Sequence, residues 1–128
     1  MRVITLKQPW ATLVAEGLKK YEFRSWKYNY RGEILIHAGK SIDKAAMNKF
    51  KNMNLNFPSS KIIAKVNIVD CIQLNSEINK KIISENELVY GNKLDRMGYA
   101  WVLSDVQKIE DSKELSGKQG IWNIETYK

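Results

Sequence analysis

Leu6-Lys7-Gln8-Pro9-Trp10, then Gly17-Leu18-Lys19-Lys20-Tyr21-Glu22-Phe23-Arg24, then Ile34-Leu35-Ile36-His37-Ala38, are the stretches whose reading decides the fold. The first closes a β-branched run, Arg2-Val3-Ile4-Thr5-Leu6, that reads as a strand. Pro9 suits the first position of a helix, where its missing N–H is not needed. Trp10, Leu13 and Val14 then share one helical face, and Gly17 is a left-handed stop, which makes the helix about two turns long. In residues 19–25 the character alternates. Lys20, Glu22 and Arg24 point one way, while Tyr21 and Phe23 point the other, toward the core. Residues 26–32 are aromatic and basic and end in a turn glycine. Residues 33–38 are almost continuously apolar, as in a strand covered on both faces.

Outward from this opening, the rest reads as scaffold. Ser41 caps a helix over 42–52, with Asp43 at its positive end and Ala46, Phe50 and Met53 as its core stripe. Residues 52–60, with Pro58, form a loop. Residues 61–74 make a long strand and 77–84 a short helix. Residues 99–109 make another long strand, whose apolar phase changes after Leu103, the sign of a bulge. Gly117-Lys118-Gln119-Gly120 is a turn before a closing strand at 121–127. The expectation is an α+β fold: a small β-barrel of about six strands with two or three short flanking helices. Neither a strand–helix alternation nor a Gly-rich phosphate loop is present, which argues against a dinucleotide-binding or P-loop architecture.

The 128 residues suit one domain spanning 1–128. With 44% apolar and 27% charged residues the chain is of ordinary globular composition, so a packed core is expected. No apolar run reaches the roughly 20 residues of a membrane span. Met1 leads straight into a strand without a signal-like pattern, so a cytoplasmic protein without membrane contact is expected. Cys71 has no internal disulfide partner and reads as a buried, inert thiol. One histidine and one cysteine do not supply a zinc set, and no metal or other cofactor is expected. The net charge of +7 favours phosphate-bearing or acidic partners. That charge is uneven. Residues 1–40 carry Arg2, Lys7, Lys19, Lys20, Arg24, Lys27, Arg31 and Lys40 against Glu16, Glu22 and Glu33.

Taken in order, Leu6 to Trp10, Gly17 to Trp26, Tyr30-Arg31-Gly32-Glu33-Ile34-Leu35-Ile36-His37-Ala38, Tyr99-Ala100-Trp101-Val102-Leu103 and Gly117-Lys118-Gln119-Gly120-Ile121-Trp122 resemble an ASCH domain. The likeness covers nearly the whole chain and is weakest over 75–98. ASCH domains are similar to PUA domains, so the resemblance implies a PUA-like barrel with a cleft suited to RNA or a modified nucleoside. Members are variously associated with nucleic-acid binding, nuclease action and, in a small bacterial branch, hydrolysis of acetylated cytidine.

Two uses of such a cleft follow. For binding RNA or a nucleotide-like ligand, Lys7, Lys19 or Lys20, Arg24 and Lys118 are the candidate phosphate contacts. Trp10, Trp26, Tyr28 and Tyr30 are candidate stacking platforms, and His37 joins Trp26 at the rim. The alternative is a small hydrolase, an amidohydrolase on an acylated cytidine-type nucleoside or a ribonuclease, with Lys19, Lys20 and Glu22 as candidate catalytic groups. A lysine among other cations in a partly dry cleft can lose its proton and act as a base. The resemblance points to Lys19, strand alternation to Lys20. The acetylcytidine hydrolases carry a threonine where this chain has Glu22, and their later glutamate falls within 77–87, where Glu85 and Glu87 stand.

Overall fold

β1 (Arg2–Gln8) lies parallel to β3 (Gly32–Ile42), and the connection between them carries α1 (Trp10–Ala15) and β2 (Tyr21–Arg24) in a computed structural model that describes residues 1–128. β4 (Lys61–Gln73) pairs antiparallel with β3 on one side and with β5 (Tyr99–Lys108) on the other. β2 adds to β5, and β6 (Ile121–Asn123) adds to β1, both antiparallel. The result is a six-stranded sheet in the order β2-β5-β4-β3-β1-β6. α2 (Lys44–Phe50), α3 (Ser76–Glu85) and the single turn α4 (Glu87–Tyr90) complete the chain.

The α+β class and the six strands are those expected. Backbone pairing does not close the sheet into a ring: β2 and β6 are its two edges and do not pair. They are short edges, with four and three residues. A side chain spans part of the gap instead, as Arg24 of β2 donates to the Thr5 carbonyl of β1 at 3.3 Å.

α1 is buried from Ala11 to Ala15 and packs Ala11 and Val14 against Ile4, Ile34, Ile36, Val66 and Trp101. Its end is set by Gly17 (φ +75). The Leu18 N–H donates to the Leu13 carbonyl and the Gly17 N–H to the Val14 carbonyl, the paired bonds of a glycine-terminated helix. Pro9 sits at the capping position just before the helix, not at its first residue. Residues Ile34 to Gly39 of β3 are all buried, as the unbroken apolar run predicts. Tyr21 and Phe23 of β2 pack on a second cluster of Leu13, Phe50, Leu74, Ile82, Val89, Tyr90 and Ala100, so the apolar face of β2 does meet the core. A third cluster holds Val3, Leu35, Ile62 and Trp122.

The phase change in β5 is a bulge. Lys65 to Asn67 of β4 opposes Gln107 to Ser104 of β5, and Asp105 within the insertion has φ +53. Elsewhere the boundaries differ from the sequence reading. β3 runs on to Ile42, so Asp43 caps α2 by accepting from the Ala46 N–H, and Ser41 belongs to a strand. Met53 lies past the end of α2 and is 37% exposed, which ends the apolar stripe at Phe50. Cys71 is a free thiol of intermediate exposure beside the main core. No helix is long and apolar enough to cross a membrane.

Candidate functional site

A cleft of ≈ 650 Å³ opens where the sheet fails to close. β1 supplies Thr5, Leu6 and Lys7, β2 supplies Arg24 at its end, the bend after it supplies Trp26, and β3 supplies Gly39, Lys40 and Ser41. Ser60 and residues 116–120 form the remaining wall. Four of the lining side chains are cations, Lys7, Arg24, Lys40 and Lys118, and none is a carboxylate. Like charges held this close in a concave surface focus a positive potential into it, the arrangement that attracts an anion. The hydroxyls of Ser41, Ser60 and Ser116 add neutral partners for phosphate or sugar oxygens.

Behind Arg24 stands an ion-paired row. Lys19 Nζ lies 2.9 Å from Glu22 Oε1, and Arg24 donates through Nε to Glu22 Oε2 at 3.1 Å. Lys19 also donates to the Tyr21 carbonyl. Burial deepens along the row, from Arg24 at 23% exposed to Glu22 at 13% and Lys19 at 4%. Only Arg24 reaches the cleft wall. Lys19 and Glu22 hold it from behind, and Glu22 has both oxygens engaged.

The choice between Lys19 and Lys20 turns on where β2 begins. Its first paired residue is Tyr21, and Lys19 still belongs to the turn after α1, with its N–H donating to the Leu13 carbonyl. Strand alternation therefore does not govern Lys19, which turns inward beside Glu22. The Lys20 side chain is exposed, and its backbone N–H donates to the Tyr90 phenol oxygen at 2.7 Å. Tyr21 donates to Glu85 Oε2 at 2.6 Å, which ties Glu85 to the start of β2 on the face opposite Glu22 and Arg24. Burial, then the Glu85 bond and charge, push the Tyr21 phenol up to about 12.

His37 is not at the rim. It is buried beneath the 115–117 segment, edge-on to Trp122 at 5.5 Å. His37 Nε2 lies 2.6 Å from the Leu115 carbonyl, which can only accept, so Nε2 carries the proton. Nδ1 is then the acceptor from the Thr5 hydroxyl at 3.2 Å, and that hydroxyl accepts from the Trp122 indole N–H at 3.0 Å. Every proton in the chain Trp122, Thr5, His37, Leu115 is assigned. Burial lowers the His37 pKa, opposed by the Leu115 bond. The wiring pins the 116–120 wall from beneath.

Trp10 also lies away from the cleft. It packs edge-on to Phe50 at 6.1 Å in the second cluster. Trp26, by contrast, is 39% exposed and lines the cleft. Its position is fixed by Trp101, whose ring is 4.9 Å away and whose indole N–H donates to the Trp26 carbonyl at 3.4 Å. Tyr28 lies against Trp101 at 4.9 Å and Tyr30 against Tyr28 at 5.7 Å, with the Arg2 guanidinium 4.0 Å above Tyr30. Tyr28 and Tyr30 are thus engaged in packing that supports the 26–31 segment.

Of the sequence candidates, the structure brings Lys7, Arg24, Trp26 and Lys118 to one cleft and places Lys19 and Glu22 directly behind Arg24. Lys20, Trp10 and His37 lie outside it. Thr5, Lys40, Ser41 and Ser60 were missed as lining residues. Lys40 stood in the basic opening, but only the extension of β3 past Ala38 brings it to the cleft.

A profile of the ASCH domain matches residues 4–113. The fold is similar to the crystal structure of ASCH from Zymomonas mobilis, with a TM-score of 0.57 and 17% identity, covering 90% of this chain and 72% of that one. A Tyr-to-Phe variant of that protein matches with the same TM-score and identity, over 90% of this chain and 74% of its own. In sequence, the chain is 24% identical over 135 aligned positions to Activating signal cointegrator 1 of Mus musculus. That alignment covers 96% of this chain and 22% of the mouse protein, so the chain spans about a fifth of the length of that relative.

Proposed function

The chain belongs to the ASCH domain family and has the family's PUA-like fold, and from that premise we propose that its basic cleft binds RNA or a nucleotide. One observation carries the reading: four cations and an exposed tryptophan line one cleft that contains no carboxylate. Phosphates meet Lys7, Arg24, Lys40 and Lys118, and a base stacks on Trp26. Such stacking contributes roughly 1–3 kcal/mol per base. The residues 1–128 act here as one domain.

The hydrolase alternative uses Lys19 and Glu22. What weighs against it is their position: both stand behind Arg24, and Glu22 is shared between two cations. A group so engaged is a poor base toward water.

The test is fluorescence anisotropy of a labelled single-stranded oligoribonucleotide between 50 and 200 mM salt. Each cation removed by Lys7→Ala or Lys118→Ala should lower the slope of log affinity against log salt by about 0.7. Trp26→Ala should weaken binding about tenfold or more. Unchanged affinity and slope in the Lys7→Ala, Lys118→Ala double variant would remove the cleft from consideration. Release of acetate from acetylated cytidine, lost in Lys19→Met, would instead establish the hydrolase.

A further inference from the structure

The edge of β1 that borders the cleft carries no partner strand. Met1 exchanges two backbone hydrogen bonds with Ile124 of the final segment, donating at 2.8 Å and accepting at 3.0 Å. Backbone groups alternate sides along a strand, so the odd-numbered residues of β1 direct their N–H and C=O away from β3. On the other side Asp43 donates to the carbonyl of Gln8, an even-numbered residue, at 2.8 Å. β6 pairs only as far as Ile121 opposite Ile4, and the chain turns at Gly120 (φ +68). Thr5 and Lys7 therefore present backbone groups toward the side that β6 no longer covers. Both residues line the cleft. The Thr5 carbonyl is met there by Arg24 at 3.3 Å, a side chain standing where a strand would have been.

We propose that the N–H and C=O of Lys7 are a base-reading edge, pairing with the adjacent donor and acceptor on the Watson–Crick face of a nucleobase whose phosphate is held by the surrounding cations. The assignment deepens the RNA or nucleotide reading and rests on it. A peptide strand has matching groups, but strand addition needs a run of open edge. Here the open edge is Thr5 to Lys7 alone, bounded by β6 before it and by Pro9 and α1 after it. The four cations and the missing carboxylate favour a polyanion over a peptide. The division of labour is then definite. Side-chain cations fix phosphate and give salt dependence with or without a base, while the main chain of β1 tells a base from a bare sugar phosphate. A substitution at Lys7 that keeps its backbone leaves the main-chain contact with the base intact.

The test is a titration of the ¹⁵N-labelled protein with UMP, CMP, AMP, GMP and ribose 5-phosphate, followed by amide NMR. Ribose 5-phosphate should move the signals of residues 116–120. At least one nucleotide should bind about tenfold tighter than ribose 5-phosphate and shift the Lys7 amide proton downfield, which the sugar phosphate should not. Stacking on Trp26 also favours nucleotides, so a second arm replaces Lys7 by its α-hydroxy analogue. That change removes the N–H and keeps the side chain. It should weaken binding of the preferred nucleotide while preserving affinity for ribose 5-phosphate. Equal Lys7 shifts with and without a base, or unchanged nucleotide affinity in the ester, would overturn base reading and leave phosphate binding standing. Failure of all five ligands at 20 mM salt would overturn the cleft reading itself. An acidic peptide that shifts the Lys7 amide and displaces the nucleotides would overturn the choice of a base as occupant.

Discussion

Arg24 donates to the Thr5 carbonyl at 3.3 Å while its Nε holds Glu22 at 3.1 Å, so one guanidinium links the edge strand β2 to β1 across the seam of the open sheet. Truncation to Arg24→Ala removes both links and leaves Glu22 with Lys19 alone. The expected loss of stability is about 1–3 kcal/mol, measured by urea denaturation. Arg24→Lys keeps a charge for Glu22 but lacks the fork that reaches two acceptors, so it should recover only part of the loss.

Lys19 and Lys20 should behave as opposites despite being neighbours. Lys19→Ala leaves Glu22 with Arg24 alone and its Oε1 without a partner, and should cost about 1–3 kcal/mol. Lys20→Ala alters an exposed side chain and should stay within about 0.5 kcal/mol of the parent. Pairing Lys19→Met with Glu22→Gln should be less costly than the sum of the two single changes, and a thermodynamic cycle over the four proteins measures that coupling. Additive losses would mean that the two side chains do not interact.

His37 makes stability depend on pH. Burial depresses its folded pKa below 6.5, so in the range just under that value the unfolded chain binds a proton that the folded chain does not. Stability from this group is therefore complete above about pH 6.5 and declines as pH falls toward the folded pKa, by at most about 1.4 kcal/mol per pH unit. Urea midpoints from pH 7.5 to 5 should show the decline. His37→Gln should be less stable at neutral pH and show a shallower decline, because its side chain does not titrate.

Gly117 is held tightly from beneath. A Cβ built there would stand 2.7 Å from His37 Cε1 and 2.8 Å from the Thr5 hydroxyl. Gly117→Ala should therefore lift the 116–120 wall and weaken oligonucleotide binding, at a stability cost of about 1–3 kcal/mol. Gly120→Ala meets no atom within 4 Å and carries only the strain of φ +68, about 1–2 kcal/mol. The comparison separates contact from backbone strain: the two variants should differ in binding more than in stability.

The opening forty residues made much of this legible. Strand character in residues 2–6, the stop at Gly17 and the doubly covered run from Ile34 are local properties, written in side-chain type and spacing. So was the bulge after Leu103, because a change of apolar phase is visible without a partner strand. The clustering of Lys7, Arg24, Trp26 and Lys118 followed from family likeness, since 94 residues separate Arg24 from Lys118 and no local pattern joins them. Lys20 was grouped with Glu22 by alternation, a rule that applies only once pairing has begun, and pairing begins at Tyr21. His37 sits in a strand whose surroundings are settled by the 115–117 segment arriving from the far end of the chain. The open seam was illegible for the same reason: strand lengths of four and three residues are decided by packing, not by propensity.

The cleft wall at 116–120 has a temporal meaning as well. Its opposite wall is made by residues 5–7 and 24–26, so the ribosome finishes one bank long before it starts the other. The N-terminal strand must also wait for residues 121–124 before its outer edge is covered. Until residues 116–124 are made, a nascent chain offers an uncovered strand edge and one bank of the cleft alone. One stretch, residues 116–124, both completes the cleft wall and covers the start of β1 as far as Ile4.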